Sequence, residues 1–302
     1  MGASSTVKLV AKMAILWICL AAGGRASFAA GARAAKPGAD QAVSAATTLL
    51  RVRFLLGYLP VVEGTVGGRA RQNIMIDTGS SPAVVDAALA RSLGLESTPA
   101  TMALFDGTIP ATEVWIPELQ VGPIRKRSVP AIVQDLSYLK HFGIPIAAIV
   151  GLDVLGDVSF RLDYEARRLT FGEFAAEGIA VPAAEDWPFV VVDAQVQKQR
   201  MRLLVDTGAA GLVLFDGHVT APLAPYRMAR KANADNLGGR VPASALPDVQ
   251  LIVLGKRVRV DTAFLVRDGG KMRRFDGLLP IGALGFRLLS YDHEARTLYL
   301  KR

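Results

Sequence analysis

The sequence predicts an all-β protein built as two barrel-like lobes related by a pseudo-twofold axis. Three observations carry this. From Val52 onward, short runs rich in Val, Ile and Leu are broken by Gly, Pro and Asp, the punctuation of strands joined by tight turns. IMIDTGSS (Ile74–Ser81) returns as LLVDTGAA (Leu203–Ala210), a shift of 206 − 77 = 129 between the two aspartates. The same shift carries Gly156 onto Gly285, Asp163 onto Asp292, Leu169 onto Leu298, and the EAR of Glu165–Arg167 onto that of Glu294–Arg296. VVEGTV (Val61–Val66) also aligns with VVDAQV (Val191–Val196), the hairpin turn after it differing by one residue. A unit has been duplicated within one chain.

The first 29 residues stand apart from this pattern. Lys8 and Lys12 precede an apolar run, Met13–Gly23, and Ser27-Phe28-Ala29 offers a small-x-small cleavage site. The run is short for a membrane span, which needs about 20 residues. A cleaved signal peptide over 1–29 is expected, with an uncleaved amino-terminal anchor as the alternative, so the protein is exported: periplasmic, cell-surface or secreted. Bulky Ile18 before Cys19 disfavours lipidation. Cys19 is the sole cysteine, so the processed chain forms no disulfide and rests on its core. With 51% apolar residues among 302, that core is affordable. Residues 30–50, Ala-rich with Gly, Pro, Ser and Thr, read as a flexible lead-in.

The first lobe spans 51–172. Pro60–Val66 and Gln72–Ile76 form a hairpin that delivers Asp77 into a loop. Ala83–Val85 is a short strand followed by a helical turn. Asp106-Gly107 marks a tight hairpin between extended arms. Glu113–Val121 and Arg127–Val133 pair across Gly122-Pro123. Asp135–Phe142 reads as a short helix, Ala147–Val150 as an apolar strand running into Gly151, and Leu152–Leu155 as a helical turn. Val158–Asp163 and Arg168–Phe171 close the unit.

A polar connector over 173–188 leads to the second lobe, 189–302. Strands Phe189–Val196 and Met201–Val205 lead to Asp206, and a Gly-rich turn follows at Leu237-Gly238-Gly239. Val249–Leu254 and Val258–Val266 come next, then the apolar Leu278-Leu279. Leu288–Asp292 with Thr297–Lys301 forms the closing hairpin.

One Asp-Thr-Gly is explained by turn formation alone, since Asp and Gly are turn residues. Two copies at equivalent places are not. Isologous packing about a twofold axis brings matching residues together, so Asp77 and Asp206 can share one site. Carboxyls a few ångströms apart hold one proton between them. Such a pair has the parts for amide hydrolysis: the ionised acid takes a proton from water and the protonated acid donates to the carbonyl oxygen. Gly79 and Gly208 allow close backbone approach to the acids, and Thr78 and Thr207 can bond across the axis.

At these residues the chain resembles the aspartic peptidases, specifically their retropepsin-like branch. The motifs are IMIDTGSS, LLVDTGAA, the IVG of Ile149–Gly151, and the DYEARRLTF hairpin (Asp163–Phe171). The resemblance runs from about Arg53 to the end and looks like a retropepsin dimer made covalent. It implies retropepsin- or pepsin-like acid-protease barrels, with Asp77 and Asp206 as the catalytic aspartates. By the same resemblance Thr78 and Thr207 interlock, Gly79 and Gly208 are the close-approach glycines, and Ser80 is the serine that bonds the dyad, matched by Ala209. Gly107 and Gly238-Gly239 match flaps over the substrate. It implies an aspartic endopeptidase with no cofactor and no metal, acting on a peptide or protein substrate, and a monomer because both half-sites are in one chain. One departure is visible: at the shift of 129, Pro280 stands where Gly151 stands in the first copy.

Other chemistries find little support. Net charge is +8, or 8 − 3 = +5 without Lys8, Lys12 and Arg25, and the basic residues are scattered at turns without aromatic interleaving. No nucleic-acid motif is present, and no membrane contact is expected beyond an anchor. His141, His218 and His293 are isolated and read as loop or surface residues. Asp153, Asp157 and Asp163 are better explained by a helix start and a hairpin turn than by a calcium loop. Trp115 and Trp187 read as packing residues, with Trp115 a candidate for the groove. Two other readings compete: a silent peptide-binding protein with this fold, and a protease dedicated to one substrate or to its own amino terminus.

Overall fold

The computed structural model describes residues 48–104, 107–183, 186–220, 228–268 and 274–302, together with the backbone of the short strands Ala14–Ile15 and Cys19–Ala21. The rest of the expected leader and most of the expected lead-in lie outside the described residues.

The protein is all-β, with strands in three sheets. One sheet gathers the strands between Arg53 and Val150, a second those between Val191 and Pro280, and a third lies between them. Both outer sheets are organised in the same way. A hairpin (Leu59–Val66 with Arg69–Ile76; Val191–Val196 with Gln199–Asp206) comes first. A strand of 15 residues (Gly107–Val121; Gly239–Val253) then serves two hairpins at once, pairing with the strand before it and the strand after it. Alternating burial along these strands explains the pattern, because one face packs on the core and the other meets solvent.

The middle sheet is where the lobes join. The closing hairpin of the first lobe, Phe160–Asp163 with Arg168–Phe171, lies beside Leu288–Asp292 and Thr297–Lys301 of the second. In the shared register Arg161 faces Ser290, its own equivalent at a separation of 129, and its Nε donates to the Ser290 hydroxyl at 3.2 Å. Phe160 faces Tyr291 and Leu162 faces Leu289 on either side. A pseudo-twofold axis therefore passes through this pair, as isologous packing requires. Phe160, Phe171 and Tyr291 are fully buried, and one apolar cluster runs continuously from the first lobe into the second.

The lobes also exchange aromatic residues. A Cβ on Gly282 would lie 2.5 Å from the Tyr58 carbonyl oxygen, and one on Gly156 would lie 2.3 Å from the Trp187 ring. Each glycine thus admits the residue that precedes the other lobe's first strand. Trp187 also stacks near Tyr291, at 5.8 Å between centroids.

Several expectations are corrected. The lead-in was expected to stay flexible up to residue 50, but Thr48–Arg51 is a strand on one edge of the middle sheet. The connector supplies another, Ile179–Pro182, on the opposite edge. Both add backbone partners to a sheet that would otherwise end in unpaired edges. Asp135–Phe142 is a 3₁₀ segment, Ser137–Phe142, stopped by Gly143 at φ +95°. Strands that went unforeseen include Leu212–Phe215, buried throughout, and Arg230–Asn236, an arm of the second flap hairpin. Trp115 is not a packing residue, being 56% exposed opposite Pro130. His218 is isolated only in sequence. Its Nδ1 lies 2.7 Å from Asp276 and its Nε2 3.1 Å from Asp268, so it ties together two segments of the second lobe.

Candidate active site

Each Asp-Thr-Gly turn projects from the end of a buried strand. Ile74–Ile76 pairs in parallel with Ala148–Val150, and Leu203–Asp206 with Gly277–Pro280. The Asp77 N–H donates to the Val150 carbonyl at 2.9 Å, and the Ile281 N–H donates to the Asp206 carbonyl at 3.1 Å. Continuous apolar runs on both strands bury them on both faces, which holds the turns rigidly. Pro280 is accommodated: it is buried at the end of its strand and opens a helical turn, its carbonyl accepting from Leu284 N–H at 3.2 Å.

The two threonines lock the turns to each other. Thr78 N–H donates to Thr207 Oγ1 at 3.0 Å, and Thr207 N–H donates to Thr78 Oγ1 at 3.2 Å. Each hydroxyl donates in turn to a carbonyl of the opposite strand, Thr78 to Val205 at 2.7 Å and Thr207 to Ile76 at 2.8 Å. Four reciprocal bonds, all buried, leave the relative placement of the turns little freedom.

That placement brings Asp77 and Asp206 together, both with no exposed surface. Gly79 N–H donates to Asp77 Oδ1 at 2.9 Å and Gly208 N–H to Asp206 Oδ1 at 2.8 Å. A Cβ on Gly79 would lie 2.7 Å from Asp206 Oδ2, and one on Gly208 2.5 Å from Asp77 Oδ2, so only glycine fits at either place. Among the described residues neither Oδ2 has a hydrogen-bond partner, and each carboxyl lies against the glycine of the opposite turn. Two carboxylates offer only acceptors, so a bond between them requires one shared proton.

Burial pushes both acids up from the ordinary carboxylate range. Asp77 rises to about 7, with the Gly79 N–H, the Asp206 carboxyl and the Gly208 N–H acting in the opposite direction. Asp206 is raised well above its ordinary value, first by burial and then by the charge on Asp77. The proton on this pair belongs to both acids together, since each is raised by burial beside the other.

Ser80 departs from expectation. Its hydroxyl is buried and makes no hydrogen bond to either aspartate. Ala209, its equivalent, is buried among apolar side chains of the second lobe.

Both flap candidates sit on hairpins. Gly107 opens the return strand of Ser97–Leu104 with Gly107–Val121 at φ +156°, and Gly239 opens that of Arg230–Asn236 with Gly239–Val253 at φ +119°. Gly238 is the point where the hairpins meet: a Cβ there would lie 2.5 Å from Leu104 and 3.2 Å from Ile109. The adjacent Leu237 is buried in the first lobe's cluster with Met102 and Leu104. Between hairpins and turns the chain's own Cys19–Ala21 runs as an extended strand, parallel to Ser80–Ser81 and antiparallel to Met102–Ala103. Ala14–Ile15 pairs with Ala234–Asp235 of the other hairpin. One extended strand thus fits between Ser80–Ser81 and Met102–Ala103.

Sequence reasoning missed Asp153 and Tyr58. The Asp153 carboxyl is buried behind Ser80–Ser81, and Tyr58 OH donates to the Ala210 carbonyl at 3.4 Å. No motif signals Tyr58. Asp153 was visible only as part of an acidic cluster.

Two β lobes with paired Asp-Thr-Gly turns locked across an axis have the all-β architecture of the acid-protease barrels. Residues 62–154, about a third of the chain, match the Asp_protease_2 family model, aspartyl protease. The match includes the Asp77 turn and Gly151. No curated protein matches the chain.

Proposed function

We propose that this chain is an exported aspartic endopeptidase that hydrolyses peptide bonds with a water activated between Asp77 and Asp206. The observation that carries the reading is the reciprocal threonine lock, which holds two fully buried acids against each other. The strand-wide groove over those acids supports a polypeptide substrate, bound by backbone pairing to Ser80–Ser81 and to the flap hairpins. One chain supplies both half-sites, so a monomer suffices.

The chemistry follows from which acid holds the proton. With the shared proton on Asp206, the ionised Asp77 takes a proton from water as the water oxygen attacks the scissile carbonyl carbon. Asp206 donates its proton to the carbonyl oxygen, giving a neutral gem-diol. Asp77 then passes its proton to the amide nitrogen, the C–N bond breaks, and a diol hydroxyl returns a proton to Asp206. Acid and amine leave with the dyad restored.

The test is cleavage of an unfolded protein over the range pH 4 to 8, with turnover expected to rise toward neutral pH as one acid of the pair ionises. Asp77→Asn and Asp206→Asn should each lower turnover by at least about a thousandfold, and a statine-type hydroxyl mimic should inhibit the wild type. Full activity in both variants would refute the assignment.

A further inference from the structure

We propose that Asp153 is a positioning residue for substrate binding, acting through the Ser81 hydroxyl to hold the Ser80–Ser81 arm against the bound strand. The proposal rests on the protease reading for the identity of the ligand, but its geometry stands independently.

Asp153 belongs to the helical turn Leu152–Leu155, which rests directly on the aspartate loop. The contact is tight: a Cβ on Gly151 would lie 1.9 Å from the Ser80 carbonyl oxygen and 3.0 Å from that of Asp77. From this turn the Asp153 carboxyl faces the Ser81 hydroxyl, while its Oδ1 is buried without a partner. Lys126 reaches in from its strand, donating to the Asp153 carbonyl at 2.7 Å and pairing with Asp157 at 2.8 Å. Lys126 and Asp157 are the charged groups at this spot, with Asp77 on the neighbouring loop.

Ser81 is where this assembly reaches the groove. Ser80–Ser81 is the edge with which the extended strand Cys19–Ala21 pairs, Cys19 opposite Ser80 and Leu20 opposite Ser81. A two-residue edge is short, so its register depends on what holds it from behind. The second lobe does this differently. The equivalents of Ser81 and Asp153 at the shift of 129 are Ala210 and Gly282, which carry no hydroxyl and no carboxyl. Tyr58 occupies the space that Gly282 leaves, and its hydroxyl donates to the Ala210 carbonyl instead. One arm is braced by a titratable group and the other by a phenol from across the axis.

Burial raises Asp153 to about 6, with Lys126 and the Ser81 hydroxyl opposing the rise. The brace is accordingly strongest when Asp153 is ionised, because a hydroxyl donating to a carboxylate makes the stronger bond.

The test measures Kd for a statine-containing peptide by titration calorimetry, and KM and kcat for a cleaved peptide, in wild type, Asp153→Asn, Ser81→Ala and the double variant, from pH 4.5 to 7.5. Asp153→Asn keeps the shape and removes the ionisation. It should bind as wild type does at pH 4.5 and about tenfold more weakly at pH 7.5, with kcat changed by less than about twofold. At pH 7.5 Ser81→Ala should weaken binding similarly, and the double variant should be no worse than either single one. Equal loss at every pH, additive losses, or a fall in kcat with Kd unchanged would overturn the proposal. Tight, pH-dependent binding without cleavage by wild type would refute the protease reading and leave this inference standing; a wild type that binds no peptide would refute both.

Discussion

Replacing Asp77 by Asn should stabilise the protein at pH 8 and leave it nearly unchanged at pH 3.5. Asp77 is fully buried and raised from 3.8 to about 7, so the folded chain keeps a proton there that the unfolded chain releases near pH 4. For an acid raised on folding, the unfolded state binds fewer protons between those two values, and stability falls as pH climbs through them. At pH 8 the fall is complete. At about 1.4 kcal/mol for each tenfold change, the burden from Asp77 is ~4 kcal/mol, and its coupling to Asp206 reduces what one substitution recovers to about 2–4 kcal/mol. Asn never ionises, its carbonyl can still accept the Gly79 N–H, and its amide can donate to Asp206. For a chain of this size the gain should appear as a rise in Tm on the order of 5–10 °C at pH 8. At pH 3.5 both acids are protonated in the folded state, and the exchange is close to isosteric. Thermal unfolding of the two proteins at both pH values is the assay. A variant no more stable than wild type at pH 8, or equally stabilised at both, would show that the aspartates are not buried side by side.

Two further substitutions probe the scaffold around the pair. Thr207→Val removes a hydroxyl that donates to Ile76 and accepts from Thr78 N–H, leaving both buried groups unmet. It should cost about 2–4 kcal/mol in urea unfolding, and Thr207→Ser should recover most of that. Gly79→Ala places a Cβ 2.7 Å from Asp206 Oδ2. The carboxyl must move, and kcat should drop by about a hundredfold while far-ultraviolet circular dichroism is unchanged; activity within threefold of wild type would contradict the geometry.

Much of this was legible in the sequence because duplication states its own symmetry. A turn that recurs at one shift along with its flanking strands and closing hairpin must be related by a pseudo-axis, and Arg161 facing Ser290 lies on it. Strand alternation likewise gave the long hairpins and the apolar ends that carry Asp77 and Asp206. What escaped depends on contacts distant in sequence. Thr48–Arg51 and Ile179–Pro182 are short tetrapeptides without a strand pattern around them, and they become strands because the middle sheet offers them an edge. Trp115 reads as core by residue type, yet its strand turns that position to solvent. The Ser80 hydroxyl misled in the opposite direction: its motif position implies a bond to the dyad, yet it is buried without a hydrogen bond to either acid.

The departures from symmetry make chemical sense together. A dyad with identical surroundings would place its proton on either acid equally, and a hydrolysis needs one acceptor and one donor. Around Asp206 lie Ala209, Ala210 and Gly282, with Tyr164 held up by burial and by the Asp206 charge. Around Asp77 lie Ser80, Ser81, Asp153 and, one step further out, Lys126. The second set is polar and stabilises a charge nearby; the first is apolar or aromatic and does not. Burial raises both acids, and the Asp77 charge adds to the rise at Asp206. The residues behind the two turns thus give two otherwise equivalent acids different surroundings, as the proposed hydrolysis requires of its acceptor and donor.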